Sequence, residues 1–537
     1  MLTKVFWGFA PLLFFWMLTQ CSNAGTTEMH GEVFRYNVYG GISSLDPAFA
    51  RNPRNIWPIN QVFNGLVQLD DQLNVIPEIA ESWEISPDGL TYTFQLRKDV
   101  FFHESPHFGT ERTRRVVASD FVYSFDRLRD PQVGSPGGWV LNAVENYQAL
   151  DTYSFQIKLK HSFPAFLGLL SMRYCSVVPY EVVEHFGAEF RNHPIGTGPF
   201  YLKRWEEEVK LVLRKNQRYF ERDAKGTPLP YLEAVSIQFI EDKQSEFLLF
   251  MQGKLDFLNS LDASYKDELL NPDGSLKAKY SDRLNIIKGP YLNTEYIGFY
   301  LDQDNSALQS SEIRQAINIG FDRQKMLRYL RNNVGSVAKK GIIPTGLGGT
   351  SNRSWTYNPE KARALVLQYE KIHQDKPRLR LATDANYLDI CEYLQREIQK
   401  IGIDIQIDLM PPATLRQAKS SGKLEMFRAS WIADYPDAEN YLSLFYSPNF
   451  TPAGPNYTHF KSEIYDQQYN SAQNTLDEKI RMQLYKAMDS LVMASYPIVP
   501  LYYDEVIQFT HKNLRGLVPN PINLLHLKKV YKQKNRP

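Results

Sequence analysis

At 537 residues the chain is too long to be organised around one hydrophobic core, and a division into about three domain-sized units is expected. Its 61 Lys and Arg against 60 Asp and Glu leave a formal net charge of +1, which excludes the global field that recruits nucleic acid or an anionic membrane face. Three cysteines, Cys21, Cys175 and Cys391, are too few for a disulfide framework and lack the Cys-x-x-Cys spacing of a metal site. Cys175 and Cys391 read as small buried apolar side chains.

Lys4 precedes an apolar run over 5–18, the layout of a secretory signal and too short to favour a membrane span. The run ends in Leu18-Thr19-Gln20-Cys21 before small polar residues. This resembles a bacterial lipobox with Cys21 as the acylated first residue of the mature chain. Gln20 departs from the small residue usual there, and a plain secreted protein cleaved nearby is the alternative. Residues 1–20 are expected as signal peptide and 21–31 as a lipid-anchored tether.

A strand is expected over 34–38, then a loop at Ser44-Leu45-Asp46-Pro47. Around Pro87-Asp88-Gly89, proline presets φ and glycine can take φ > 0, while Tyr92, Phe94 and Leu96 alternate with polar residues, so a hairpin is expected. Phe121, Phe125 and Leu128 give one apolar helical face behind a Ser119 cap. The stretch 106–115 ahead of it, with Arg112, Arg114 and Arg115, reads as a solvated loop. Gly196-Thr197-Gly198-Pro199 reads as a tight chain reversal, since no Lys-Ser or Lys-Thr follows to make a phosphate cradle.

From Tyr296 strands and helices alternate. Asn358-Pro359-Glu360 starts a helix, and 378–409 reads as strand, helix, strand, with Gly402 ending the helix, which implies parallel strands. The next strand, over 427–433, leaves Asp434 at its carboxyl end ahead of the turn at Pro436, the place where open α/β sheets hold ligands. Asp434 is thus either a turn residue or a carboxylate facing a cleft, where it can hold a cationic group.

One enzyme motif matches: His103-Glu104-Ser105-Pro106-His107 fits the zinc pattern His-Glu-x-x-His. That chemistry needs a helix, inside which Pro106 would cost about 3 kcal/mol or more. An exported zinc hydrolase is therefore the alternative from another class, with no metal site, cofactor or catalytic residue expected.

The ordered blocks Leu45-Asp46-Pro47, Ala80-Glu81-Ser82-Trp83, Leu96-Arg97-Lys98, Gly196-Thr197-Gly198-Pro199-Phe200 and Trp431-Ile432-Ala433-Asp434 resemble the oligopeptide- and dipeptide-binding proteins of ABC importers, family 5 of the extracellular solute-binding proteins. The resemblance implies an α/β fold: a two-lobed periplasmic-binding-protein clamp (type II-like) with an extra inserted small domain. Lobe I would comprise 32–63, 186–292 and 497–537, the small domain 64–185 and lobe III 293–496, which puts Cys175 and Cys391 in different domains. It implies a monomeric, non-catalytic receptor in the bacterial cell envelope that closes on a short peptide and delivers it to an inner-membrane ABC permease, touching the membrane through the lipid. Relatives that take nickel complexes, oligosaccharides or other solutes leave the ligand open.

By resemblance Asp434 would pair with the peptide's ammonium, an acceptor-only partner whose attraction strengthens as the cleft closes. Ser430, Trp431 and Ile432 would supply a backbone edge and a pocket wall. The loop of Arg51, Asn52 and Pro53 would offer the opposite edge, although Pro53 lacks an N–H. Arg428 would meet the ligand's carboxylate or be paired elsewhere, and Trp139, Tyr435 and Tyr457 are wall aromatics or core.

Overall fold

The computed structural model describes residues 33–533 apart from 261, 263 and 264, so the leader and Cys21 lie outside the described residues. Strand β1 (Val33–Asn37) alternates half-buried and buried side chains, turning Phe34 and Tyr36 into the first core. The chain continues to α1 (Pro53–Val62), where Asn52 accepts the Asn55 N–H at 3.2 Å and Pro53 occupies a first-turn position that needs no donor.

The hairpin forms as expected from β2 (Ala80–Ile85) and β3 (Thr91–Leu96), with Gly89 at φ +71. Helix α2 (Ala118–Arg129) starts ahead of Ser119: Val117 is its cap residue and Asp120 accepts the Val117 N–H at 2.9 Å. Its buried Phe121 and Phe125 pack on Phe155 of the antiparallel sheet β2-β3-β5-β4, completed by β4 (Val144–Ala149) and β5 (Ser154–Leu159). The 106–115 stretch is largely exposed, as expected of a solvated loop, but it is anchored at Arg114. Arg114 binds Asp120 (2.7 and 2.8 Å) and Glu181 (2.5 and 2.8 Å) above the Phe102 ring, and two carboxylates on one guanidinium hold the stretch down.

The chain returns through β6 (Phe200–Glu206), β7 (Lys210–Lys215) and β8 (Ala234–Gln238) to a sheet ordered β1-β8-β7-β6, in which β1 runs parallel to β8. The chain bends over 197–199 as expected, but neither Gly196 nor Gly198 has positive φ, so the bend does not need glycine for its dihedrals. A Cβ on either would overlap the Val62 carbonyl group, to which the Gly198 N–H donates at 2.8 Å, so they permit close backbone approach to the end of α1.

The second half is a seven-stranded sheet. After β9 (Phe257–Asn259) and β10 (Leu284–Phe299), helix α3 (Pro359–His373) starts at Asn358 as expected, and β11 (Arg378–Thr383), α4 (Leu388–Gln399) and β12 (Asp404–Leu409) form the parallel unit. Next come α5 (Pro412–Ser420), β13 (Met426–Ile432) and the short α6 (Glu439–Leu442); β14 (Ile498–His511) closes the order β9-β14-β10-β13-β11-β12, with Ser336–Val337 on β14 as seventh strand. The long strands β10 and β14 lie side by side with a break in register between Pro290 and Thr294. One apolar core fills the first half, two others lie in the second, and a fourth gathers Phe247, Phe250 and Leu258 with Ile507 and Phe509. Tyr435 joins the first-half core although it follows β13, so the halves touch there.

Candidate functional site

Strand β13 is bonded unequally along its two edges. Its last residues pair antiparallel with β10, Ser430 opposite Glu295 and Trp431 opposite Thr294. On the other side β11 reaches only Met426 and Phe427, so among the described residues no strand covers that edge from Arg428 to Ile432. Past Ile432 the chain is tied back to β10, because the Ala433 N–H (2.9 Å) and the Tyr441 hydroxyl (2.6 Å) both donate to the Leu292 carbonyl.

This tie places Asp434 at the mouth of a cavity of about 1160 Å³ between the halves. Asn440, buried on α6, accepts from the Trp431 Nε1 at 2.8 Å and from the Asp434 N–H at 3.3 Å, fixing ring and turn together. Solvent reaches the Asp434 side chain from the cleft, yet the surrounding walls desolvate the carboxylate and push its pKa up to about 6, opposed by a hydrogen bond from the Asn440 side chain. Among the described residues it has no cationic partner. Beneath it Glu439 is buried and accepts from the Tyr435 and Tyr469 hydroxyls.

The opposite wall comes from the first half: Arg51 and Ile56 from the loop and start of α1, and Trp139, Phe163 and Tyr174 from further along the chain. Phe163 meets Tyr435 edge-on with ring centroids 6.3 Å apart. Arg51 also lines an adjoining cavity of about 1090 Å³.

Among the residues expected in the site, Asp434 and Trp431 line the first cavity; Ser430 and Ile432 do not, although their backbone lies on the uncovered edge. Asn52 lines the adjoining cavity, and Pro53 lines neither. Arg428 is buried in an ion pair with Glu295, stacked on Tyr387, and is absent from both walls, so it takes the second of its two alternatives. Trp139 and Tyr435 are in the wall, while Tyr457 carries Lys419 over its ring. Asn440 and Tyr174 were missed; no local pattern marks an asparagine six residues after the aspartate or a tyrosine from the other half.

The zinc alternative fails on geometry. No α-helix spans 103–107, where a 3-10 turn starts only at Pro106, and His103 is buried with Nε2 2.9 Å from the Gly198 carbonyl and Nδ1 accepting the Gly196 N–H at 3.3 Å. His107 instead stacks against His185, ring centroids 4.1 Å apart. Cys175 and Cys391 are buried free thiols.

A clamp of two α/β halves enclosing a cavity of ligand size, with an open carboxylate at the end of a sheet strand, defines a solute-binding protein. The chain belongs to the bacterial extracellular solute-binding proteins, family 5, whose model matches residues 74–452, and this is a family of binding proteins, not enzymes. It is 24% identical over 490 residues to the glutathione-binding protein GsiB of Salmonella choleraesuis, covering 89% of this chain and 90% of that one. It is 25% identical over 471 residues to the di/tripeptide-binding protein 2 of Pseudomonas aeruginosa, covering 84% and 85%. The periplasmic binding protein DppA of Helicobacter pylori, solved in complex with the peptide STSA, superposes with a TM-score of 0.78 at 23% identity, covering 95% of this chain and 100% of that one.

Proposed function

We propose that this protein captures short peptides by closing its two lobes and delivers them to the inner-membrane permease of an ABC importer. The observation that carries the reading is Asp434, an open carboxylate without a cationic partner among the described residues, set in a desolvating wall. A ligand ammonium satisfies it, and closure strengthens the pairing as water leaves. The uncovered edge from Arg428 to Ile432 supports the same reading, since an extended peptide can add to it through main-chain hydrogen bonds while Trp431 walls a side chain. The ligands named for the relatives, glutathione and di- or tripeptides, all carry a free amino terminus.

The proposal includes the lobe limits given above, with β10 crossing from lobe I into lobe III and β14 beginning just after the chain returns to lobe I, and a monomeric protein. It includes acylation at Cys21, which holds it at the membrane: Cys21→Ser is expected to move the protein from the membrane to the soluble fraction, checked by detergent partition and intact mass.

Calorimetric titration with di- to penta-alanine, free and N-acetylated, tests the ligand class. The free forms are expected to bind, with acetylation or Asp434→Asn weakening binding about 100-fold, the usual scale for losing one member of a buried charge pair. Equal affinity for free and acetylated peptide overturns the role of Asp434.

A further inference from the structure

Binding at Asp434 leaves the opposite charge on the cleft wall without a function. Apart from tyrosines, the titratable side chains lining the Asp434 cavity are Arg51 and His161 from the first half and Asp434 and Glu439 from the second. Glu439 is already held by two tyrosine hydroxyls. Arg51 is the one lysine or arginine that lines this cavity among the described residues.

The adjoining cavity presents three arginines. Arg127 is bound to Asp46 at 2.7 and 3.2 Å, and Arg191 lies 3.4 Å from Glu207 and 3.6 Å from Glu189. Arg51, exposed where the two cavities meet, has no ion pair among the described residues. Arg51 and Tyr174 from the first half and Asp434 from the second line this one cavity. Burial and then the Asp434 carboxylate raise the pKa of Tyr174, Arg51 opposes, and the net value is about 12. Cations on the second-half side are engaged, Arg428 by Glu295 and Lys419 by the Tyr457 ring 4.4 Å away.

We propose that Arg51 binds the carboxylate of the ligand whose ammonium sits on Asp434, so that a short zwitterion bridges the two lobes. The assignment rests on the peptide reading above. A guanidinium fork matches a carboxylate in two parallel hydrogen bonds, and Arg51 gives up only hydration to make them. Because its partner charge lies on the other lobe, the ligand's own ends pull the clamp shut. A ligand lacking the carboxylate leaves the guanidinium desolvated without a partner on closure.

The test uses the oligoalanine that binds most tightly, as free acid and as C-terminal amide, titrated into the unmodified protein, Arg51→Gln and Arg51→Lys. The unmodified protein is expected to prefer the acid by about tenfold or more, Arg51→Gln to erase that preference, and Arg51→Lys to restore part of it. Retained preference in Arg51→Gln, or no preference in the unmodified protein while the peptide still binds, overturns the assignment and leaves the peptide reading standing. Binding of neither form to the unmodified protein overturns the peptide reading and the assignment with it.

Discussion

The Asp434 carboxyl, pushed up to about 6 by desolvation, makes ligand capture pH-dependent with a definite sign. The α-ammonium of a peptide is charged throughout the range from pH 5 to 7, so the ligand's own titration adds no slope there. Affinity for free peptides is expected to be greatest near pH 7, to fall as pH drops through 6, approaching tenfold per unit below it, and to decline again toward pH 8 as the free peptide's ammonium loses its proton. Calorimetry from pH 5 to 8 checks this, and Asp434→Asn should remove the acid-side slope. Near pH 6 the ammonium pulls the carboxyl back down, so binding releases protons and its measured heat should vary with the buffer. The position of Asp434 was legible because an apolar strand running into Pro436 leaves its last polar residue at a sheet end. The fate of Arg428 was not, since its partner Glu295 lies on another strand 133 residues away. Nothing in the local pattern separates an arginine that awaits a ligand from one already neutralised.

At the scale of elements, β11 pairs with β13 no further than Phe427, which frees the Arg428–Ile432 edge for a ligand backbone. Peptides N-methylated at the amide that pairs with this edge are expected to bind about 3–10-fold more weakly than their parents, the worth of one net hydrogen bond; unchanged affinity argues against strand addition. The glycines before β6 make a different prediction. Gly198→Ala puts a methyl group into the Val62 backbone, so a loss of about 1–3 kcal/mol in urea-unfolding stability is expected. The sequence pattern marked that stretch as a chain reversal, but the close approach of both glycines to Val62 is visible only once the facing backbone is placed. The strand-helix-strand unit over 378–409 was readable throughout, its apolar period changing from two to 3.6 and back. The anchoring of 106–115 was not, for Arg114 finds Glu181 far along the chain.

For the whole molecule, the order of blocks was enough for a two-lobed clamp, whereas the contacts that set how the lobes meet join distant parts of the chain. Tyr435, next to Asp434, packs in the core of the opposite half, edge-on to Phe163, while Pro436 Cδ lies 3.4 Å from the position a Cβ on Gly168 would take. Opening the cleft must separate these groups, so they add a ligand-independent bias toward the closed arrangement. An edge-on aromatic pair contributes about 0.5–1.5 kcal/mol beyond its area burial. Phe163→Ala removes it from the first-half side without touching Asp434, Arg51 or the uncovered strand edge. If peptide binding requires closure, the lost bias must reappear as lost affinity, so the variant is expected to bind peptide about 2–10-fold more weakly. Its ligand-free radius of gyration by X-ray scattering should exceed that of the unmodified protein, and saturating peptide should bring the two to the same value. A variant with weaker binding but an unchanged ligand-free radius would place Phe163 in the pocket wall alone and separate ligand contact from lobe closure.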